Sequence, residues 1–237
     1  MSHINAATIA RLRDRIWALE QGTDAPPPVL AIGAPDSALP WGGLPLARLH
    51  QIAIIDSSGL GFAAALLGML ARDRPVLWCR RRDAAMPFLP GLAPFGLTAE
   101  QVLTVEADRA VELLWAIEEG LRCAALGAVL GEIDDLPLPA ARRLQLAAET
   151  GGVVGLIVTP PWAAAGGATT RWRVGAAPSQ TPPWGGLGAP AWHVALERCR
   201  NGLPRSWTLT WRVVPCTHPH DVPGTHPRDG RFALLDP

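Results

Sequence analysis

From residue 29 onward the chain alternates short apolar runs with stretches of helical periodicity. Residues 49 to 55 (Leu-His-Gln-Ile-Ala-Ile-Ile) predict a strand, 61 to 72 an Ala- and Leu-rich helix, and 75 to 79 a second strand. A Pro-broken segment at 84 to 97 follows. Then come a strand at 102 to 105, a helix at 108 to 122, a strand at 126 to 131, a helix at 139 to 149 and a strand at 153 to 158. Apolar strands without strict two-residue alternation, separated by helices, predict a mostly parallel sheet covered on both faces. Beyond the Pro/Gly/Ala loop at 160 to 168 the pattern changes. Residues 169 to 174 are strand-like and 175 to 190 form a second Pro/Gly-rich connection. Trp192, Val194 and Leu196 alternate, Asn201-Gly202 makes a turn, and Trp207, Leu209, Trp211 and Val213 alternate again. Two such runs around Asn-Gly predict a hairpin that extends the sheet with antiparallel strands.

The two ends read differently. In residues 3 to 21, Ile9, Leu12, Ile16 and Leu19 recur at helical spacing while Arg11, Arg13 and Arg15 face elsewhere. Gly22 and Pro26-Pro27-Pro28 end that helix. The expected organisation is an N-terminal helix and tether (1 to 28), a core (29 to 214) and a disordered Pro/His-rich tail (215 to 237). Leu12 and Ile16 are candidates for partner binding.

At 237 residues and 49% hydrophobic content, the chain can bury one full core. Its 21 basic and 21 acidic residues balance, so no global field draws it to nucleic acid or an anionic membrane. Every basic residue is arginine. The absence of lysine excludes Schiff-base chemistry and a phosphate-binding lysine. Cys79, Cys123, Cys199 and Cys216 form no C-x-x-C pair, and no apolar N-terminal stretch reads as a leader or membrane span, so a reducing cytoplasm is expected. Cys79, Cys123 and Cys199 are expected to be small core residues.

The segment most informative about chemistry is Ile54-Ile55-Asp56-Ser57-Ser58-Gly59-Leu60-Gly61, a tight turn between a buried strand and a helix. This is the setting of a Walker A loop, in which backbone amides at a helix start cradle phosphates. Set against G-x-x-x-x-G-K-[ST], Ile54 replaces the first glycine, Leu60 the lysine and Gly61 the magnesium-binding hydroxyl, and only Gly59 is kept. A β-branched residue, an uncharged one and a residue without a side chain cannot do those jobs.

Together with the upstream Gly42-Gly43-Leu44-Pro45 turn, this loop resembles the opening of the RecA recombinase core. Several further segments resemble the ImuA family, RecA/SulA-like proteins of damage-inducible mutagenesis operons. They are 91 to 97 (Gly-Leu-Ala-Pro-Phe-Gly-Leu), 114 to 123 (Leu-Trp-Ala-Ile-Glu-Glu-Gly-Leu-Arg-Cys), 142 to 147 (Arg-Arg-Leu-Gln-Leu-Ala), 170 to 174 (Thr-Arg-Trp-Arg-Val) and 206 to 209 (Ser-Trp-Thr-Leu). The resemblance implies a RecA-like three-layer α/β sandwich and a non-catalytic accessory role in SOS-induced translesion synthesis, without a cofactor. Its implied partners are an ImuB-like protein, an error-prone DnaE-type polymerase and RecA. It also sets Arg81 at the place of the catalytic glutamate and Glu132 at the Walker B acid, which removes general-base catalysis at the first.

Other constellations are weaker. Arg80-Arg81-Arg82 ends a predicted parallel strand, where such sheets place their sites, so Arg80 and Arg82 are further candidates for partner binding. Cys216, His218, His220 and His226 have metal-ligand types without a recognised spacing, so no metal is expected. Ser57 and Ser58 lack a G-x-S-x-G setting. Near Gly166-Gly167 the first base is Arg171, and strong DNA binding is not expected. The alternative function is a SulA-like inhibitor of the tubulin-like division protein.

Overall fold

The computed structural model describes Thr8 and residues 27–164, 166–183, 185–200, 202–213 and 230–235. The predicted N-terminal helix, with Leu12 and Ile16, and the cluster of Cys216, His218, His220 and His226 lie outside the described residues.

A nine-stranded sheet forms the middle layer. Its strands are β3 (Leu49–Ile54), β4 (Val76–Arg81), β5 (Val102–Ala107), β6 (Ala128–Glu132), β7 (Val154–Thr159), β8 (Thr170–Ala176), β9 (Ala191–Cys199), β10 (Arg205–Val213) and β11 (Gly230–Leu234). Their spatial order is β11-β10-β9-β8-β3-β7-β6-β4-β5. The six strands from β8 to β5 are parallel to their neighbours, and β9, β10 and β11 extend them antiparallel. The predicted hairpin is present, with Trp207 opposite Val194 and Leu209 opposite Trp192. A small pair, β1 (Val29–Leu30) against β2 (Leu44–Pro45), anchors the Gly-Gly-Leu-Pro turn outside the main sheet.

Helices cover both faces. Helix α1 (Ser58–Ala71) lies on one, and α2 (Ala110–Arg122) and α3 (Leu138–Gly151) lie together on the other. Helix α1 is apolar almost all round, with Phe62, Leu66, Leu67 and four alanines among its buried residues. A helix of that kind needs cover on more than one side. The sheet supplies one cover and the 3-10 segment Leu89–Phe95 another, so close that a Cβ on Gly68 would stand 1.8 Å from the Phe95 carbonyl oxygen. On the opposite face Leu113, Ile117 and Leu121 of α2 and Leu144 and Ala147 of α3 share a core with Cys79, Val129 and Ile157.

Two sequence expectations need correction. Residues 215 to 237 are not wholly a disordered tail, because Gly230–Leu234 pairs antiparallel with β10. Phe232 is buried among Phe62, Trp192 and Trp211, with ring centroids 4.6, 5.9 and 5.3 Å away. The Phe232 amide also donates to the Ile32 carbonyl at 3.0 Å, and Gly33 sits beneath it at φ 110°, where any Cβ would meet the Phe232 oxygen at 2.2 Å. Cys123 is not a core residue: it is the exposed residue that ends α2. Cys79 is buried, which pushes its thiol up to about 12, and Cys199 is half-buried.

His50 on β3 is wholly buried inside a directional chain. The Trp172 indole donates to Thr170 Oγ1 at 2.8 Å, Thr170 lies 2.8 Å from His50 Nδ1, and His50 Nε2 lies 2.9 Å from the Pro45 carbonyl. A carbonyl only accepts, so Nε2 carries the proton and Nδ1 accepts from the Thr170 hydroxyl. Burial, reinforced by the nearby Arg48 cation and opposed by the bond to Pro45, lowers the His50 pKa from 6.5 to about 4. A depressed imidazole pKa favours the neutral form in the folded state, so its stabilisation is complete above pH 6.5 and declines as pH falls toward 4. The expected loss is about 3 kcal/mol. Denaturant unfolding measured between pH 7 and 4 should show it, and His50→Gln should flatten that slope while carboxylates titrating in the same range are left unchanged.

Candidate functional site

The turn from β3 into α1 opens at the C-terminal edge of the parallel strands, where sheets of this class place their sites. Asp56 organises it. One of its oxygens, Oδ1, accepts from the Ser58 amide at 2.9 Å and from the Ser58 hydroxyl, and Oδ2 accepts from the Ala176 amide at 3.0 Å. The Gly59 and Leu60 amides turn back to the carbonyls of Asp56 and Ser57 at 3.1 and 3.2 Å. The first amides of α1 are therefore satisfied from within the chain, and the negative charge that favours a helix start is Asp56 itself. The Ser58 hydroxyl foremost, then the Ala176 and Ser58 amides, hold the Asp56 carboxyl below its usual range.

The remaining loop positions are filled. A Cβ on Gly59 would lie 2.4 Å from Ile54 Cγ2, so Ile54 occupies the space against the loop and Gly59 is needed for packing. Leu60 packs onto the core on the α1 face. At Gly61 a Cβ would meet the Trp192 ring at 3.5 Å, and the Trp192 indole donates to the Ser58 carbonyl at 2.8 Å. Ser57 is exposed.

Around this turn the fold gathers an open cleft of about 310 Å³. Ile54, Asp56, Arg81 and Glu132, four of the residues singled out in the sequence, line it together. Arg81 donates to Asp83 through Nε at 2.8 Å and a terminal nitrogen at 2.5 Å, and to Asp134 at 3.3 Å. Glu132 is held by the Trp78 indole at 2.5 Å, and burial raises its pKa against the opposing effects of that bond and of Arg80.

Arg80 is not a surface residue for partners, contrary to the expectation. Its side chain is 2% exposed and ion-paired with Glu106, because successive side chains of β4 point to opposite faces and Arg80 points inward beside Trp78. Arg82 is exposed and paired with Asp108 at 2.9 Å and Glu106 at 3.5 Å. Arg171 is also buried, bonded to Glu197 at 2.8 Å and to the Ala164 carbonyl at 3.1 Å. Sequence reasoning missed Asp134 and Trp162, which complete the cleft. Their places just after β6 and β7, at the same sheet edge, were the available signal. Among the described residues no group of His, Cys, Asp and Glu could hold a metal, and no helix is long and apolar enough to cross a membrane.

No family model matches the chain. Two curated relatives, each named Protein ImuA and each from a strain of Caulobacter vibrioides, are 38% identical to it over 86% of this chain and 96% of their own. The chain belongs to the ImuA family. Among solved structures, a KaiC-like protein from Pyrococcus horikoshii OT3 matches 88% of this ImuA-family chain and all of its own, at a TM-score of 0.53 and 13% identity, a likeness of fold. SulA from Pseudomonas aeruginosa matches 49% of the chain and 99% of its own at a TM-score of 0.41 and 22% identity. At that TM-score it adds no weight to the SulA-like alternative.

The packing of Ile54 on Gly59 is directly testable. Gly59→Ala should destabilise the protein by about 1–3 kcal/mol through overpacking. Adding Ile54→Ala should recover part of that loss, visible as a favourable coupling in a double-mutant cycle of unfolding free energies.

Proposed function

We propose that this ImuA-family protein is a non-catalytic RecA-like adaptor in SOS-induced, error-prone translesion synthesis, working with an ImuB-like protein and an error-prone DnaE-type polymerase in the cytoplasm. RecA is a further candidate partner. The observation that carries this reading is the closed turn at the start of α1, where Ile54 fills the space beside Gly59 and Leu60 packs onto the core. A nucleotide phosphate there would meet Ile54 in the space against the loop, with no lysine at Leu60 to offset its charge and no hydroxyl at Gly61 to hold magnesium. Glu132 is engaged by Trp78, and among the described residues it does not come together with other carboxylates in a group that could hold a metal ion. Zero net charge and the buried, carboxylate-paired Arg171 support action through protein partners in preference to DNA. The amphipathic residues 3 to 21, with Leu12 and Ile16, remain the proposed docking element.

Purified protein should neither hydrolyse ATP above background nor bind it with magnesium at millimolar concentration, and Leu60→Lys alone should not restore turnover. Steady-state hydrolysis that disappears on Asp56→Ala or Glu132→Gln would overturn this reading. In cells, deletion should lower damage-induced mutation frequency without changing division or undamaged growth. Filamentation on overexpression, with normal induced mutagenesis on deletion, would instead support the SulA-like alternative.

A further inference from the structure

The cleft beside the β3–α1 turn has a charge balance opposite to that of a phosphate site. Asp56, Glu132 and Asp134 line it against the single guanidinium of Arg81, which Asp83 already holds through two bonds. Much of the rest of its lining is apolar, including Val158, Pro160 and Pro161, and two large side chains are left open to solvent. Ile55 is 56% exposed and Trp162 82% exposed. An indole so exposed, on the wall of a cleft with excess carboxylate, presents a face for a flat cation. Asp134 already receives a guanidinium in cis, from Arg81 at 3.3 Å, so the chemistry of the contact is present in miniature.

We propose that this cleft binds an arginine side chain carried on an extended apolar segment of a protein partner, its guanidinium directed to Glu132 and Asp134 and its plane lying on Trp162. Arginine fits better than lysine because a planar fork can bond a carboxylate twice and stack on an indole together, whereas an ammonium is a compact, strongly hydrated charge. Nucleic acid is disfavoured by the carboxylates, which repel phosphate and release no counterions. A volume of about 310 Å³ stands at the lower limit of ligand sites and suits one or two side chains. When Asp134 turns to an incoming guanidinium, Arg81 keeps Asp83, so no charge is stranded. The inference rests on the adaptor reading and names the chemistry of the partner at this site.

The test is a tryptophan-indole NMR titration of the full chain, with the Trp162 resonance assigned by its loss in Trp162→Phe. The probes are the capped tripeptides Leu-Arg-Leu, Leu-Lys-Leu and Leu-Glu-Leu, and MgATP as a separate arm. Leu-Arg-Leu should move the Trp162 resonance saturably, more tightly than Leu-Lys-Leu, and Leu-Glu-Leu should not move it. Asp134→Asn, an exposed change that leaves the Arg81–Asp83 pair in place, should weaken Leu-Arg-Leu about tenfold. Equal binding of Leu-Arg-Leu and Leu-Glu-Leu, no response to millimolar Leu-Arg-Leu, or indifference to Asp134→Asn would each overturn the proposal. MgATP moving the same resonance would overturn the adaptor reading itself, while silence of both Leu-Arg-Leu and MgATP would overturn this inference alone.

Discussion

A helix that starts at the end of a buried parallel strand presents unsatisfied amides and a positive partial charge to whatever lies beyond it. In a nucleotide-binding protein of this fold the phosphate meets that demand. Here Asp56 does, with both oxygens engaged, one toward α1 and one toward β8. The carboxylate thereby ties three elements together at the sheet edge, and Ile54 fills the space a phosphate-binding loop would keep open. The first amides of α1 are thus satisfied from within the chain. The character of the neighbouring cleft follows from that: an anion fixed at the helix start leaves room around it for cations and apolar groups.

The arginine run at the end of β4 shows how position along a strand divides chemically identical residues. Arg80, Arg81 and Arg82 differ in exposure from 2% to 60%, and their carboxylates differ with them: Arg80 has Glu106, Arg81 has Asp83 and Asp134, and Arg82 has Asp108 and a share of Glu106. Burying Arg80 is tolerable only because Glu106, in register with it on β5, stays within reach. Its Nε has no hydrogen-bond partner, so the site is held by the ion pair at the guanidinium tip, with Met86 sulfur 3.7 Å away.

Residues 49 to 213 were legible in the sequence because apolar runs and helical periodicity report burial, and burial fixes the elements. The departures have local causes. Helix α1 begins at Ser58, before its apolar stripe, because Asp56 stabilises a first turn that hydrophobic periodicity cannot register. Strand β4 continues through Arg80 and Arg81 because Glu106, distant in sequence, neutralises the first, and Asp83 with Asp134 the second; read alone, three arginines look like a solvated run. Strand β11 was missed because five residues in a Pro- and His-rich setting carry too little pattern, and the force that places Phe232 is an aromatic cluster drawn from α1, β9 and β10. At the site, residue identity alone set Ile54, Leu60 and Gly61 against the Walker A pattern. That Asp56 would hold the Ala176 amide was not legible, since Ala176 lies far along the chain at the end of β8.

Neutral overall charge conceals how unevenly the pairs are distributed. On the antiparallel half of the sheet Glu197 serves both Arg171 and Arg173, a local excess of guanidinium. On the helical face, by contrast, Glu118 takes both Arg122 and Arg143 while Arg122 also reaches Glu119, so the two signs balance. Every excess of cation in one place requires an excess of carboxylate elsewhere when the chain totals 21 of each. Part of that balance falls at the cleft, where Asp56 and Glu132 are hydrogen-bonded by amides, a hydroxyl and an indole, and Arg80 acts on Glu132 only through its charge. Neutral donors orient a carboxylate without cancelling its charge. Carboxylates thus outnumber guanidiniums along the cleft lining, Asp56, Glu132 and Asp134 against Arg81, so a charge balance that is zero over the chain is not zero at this edge.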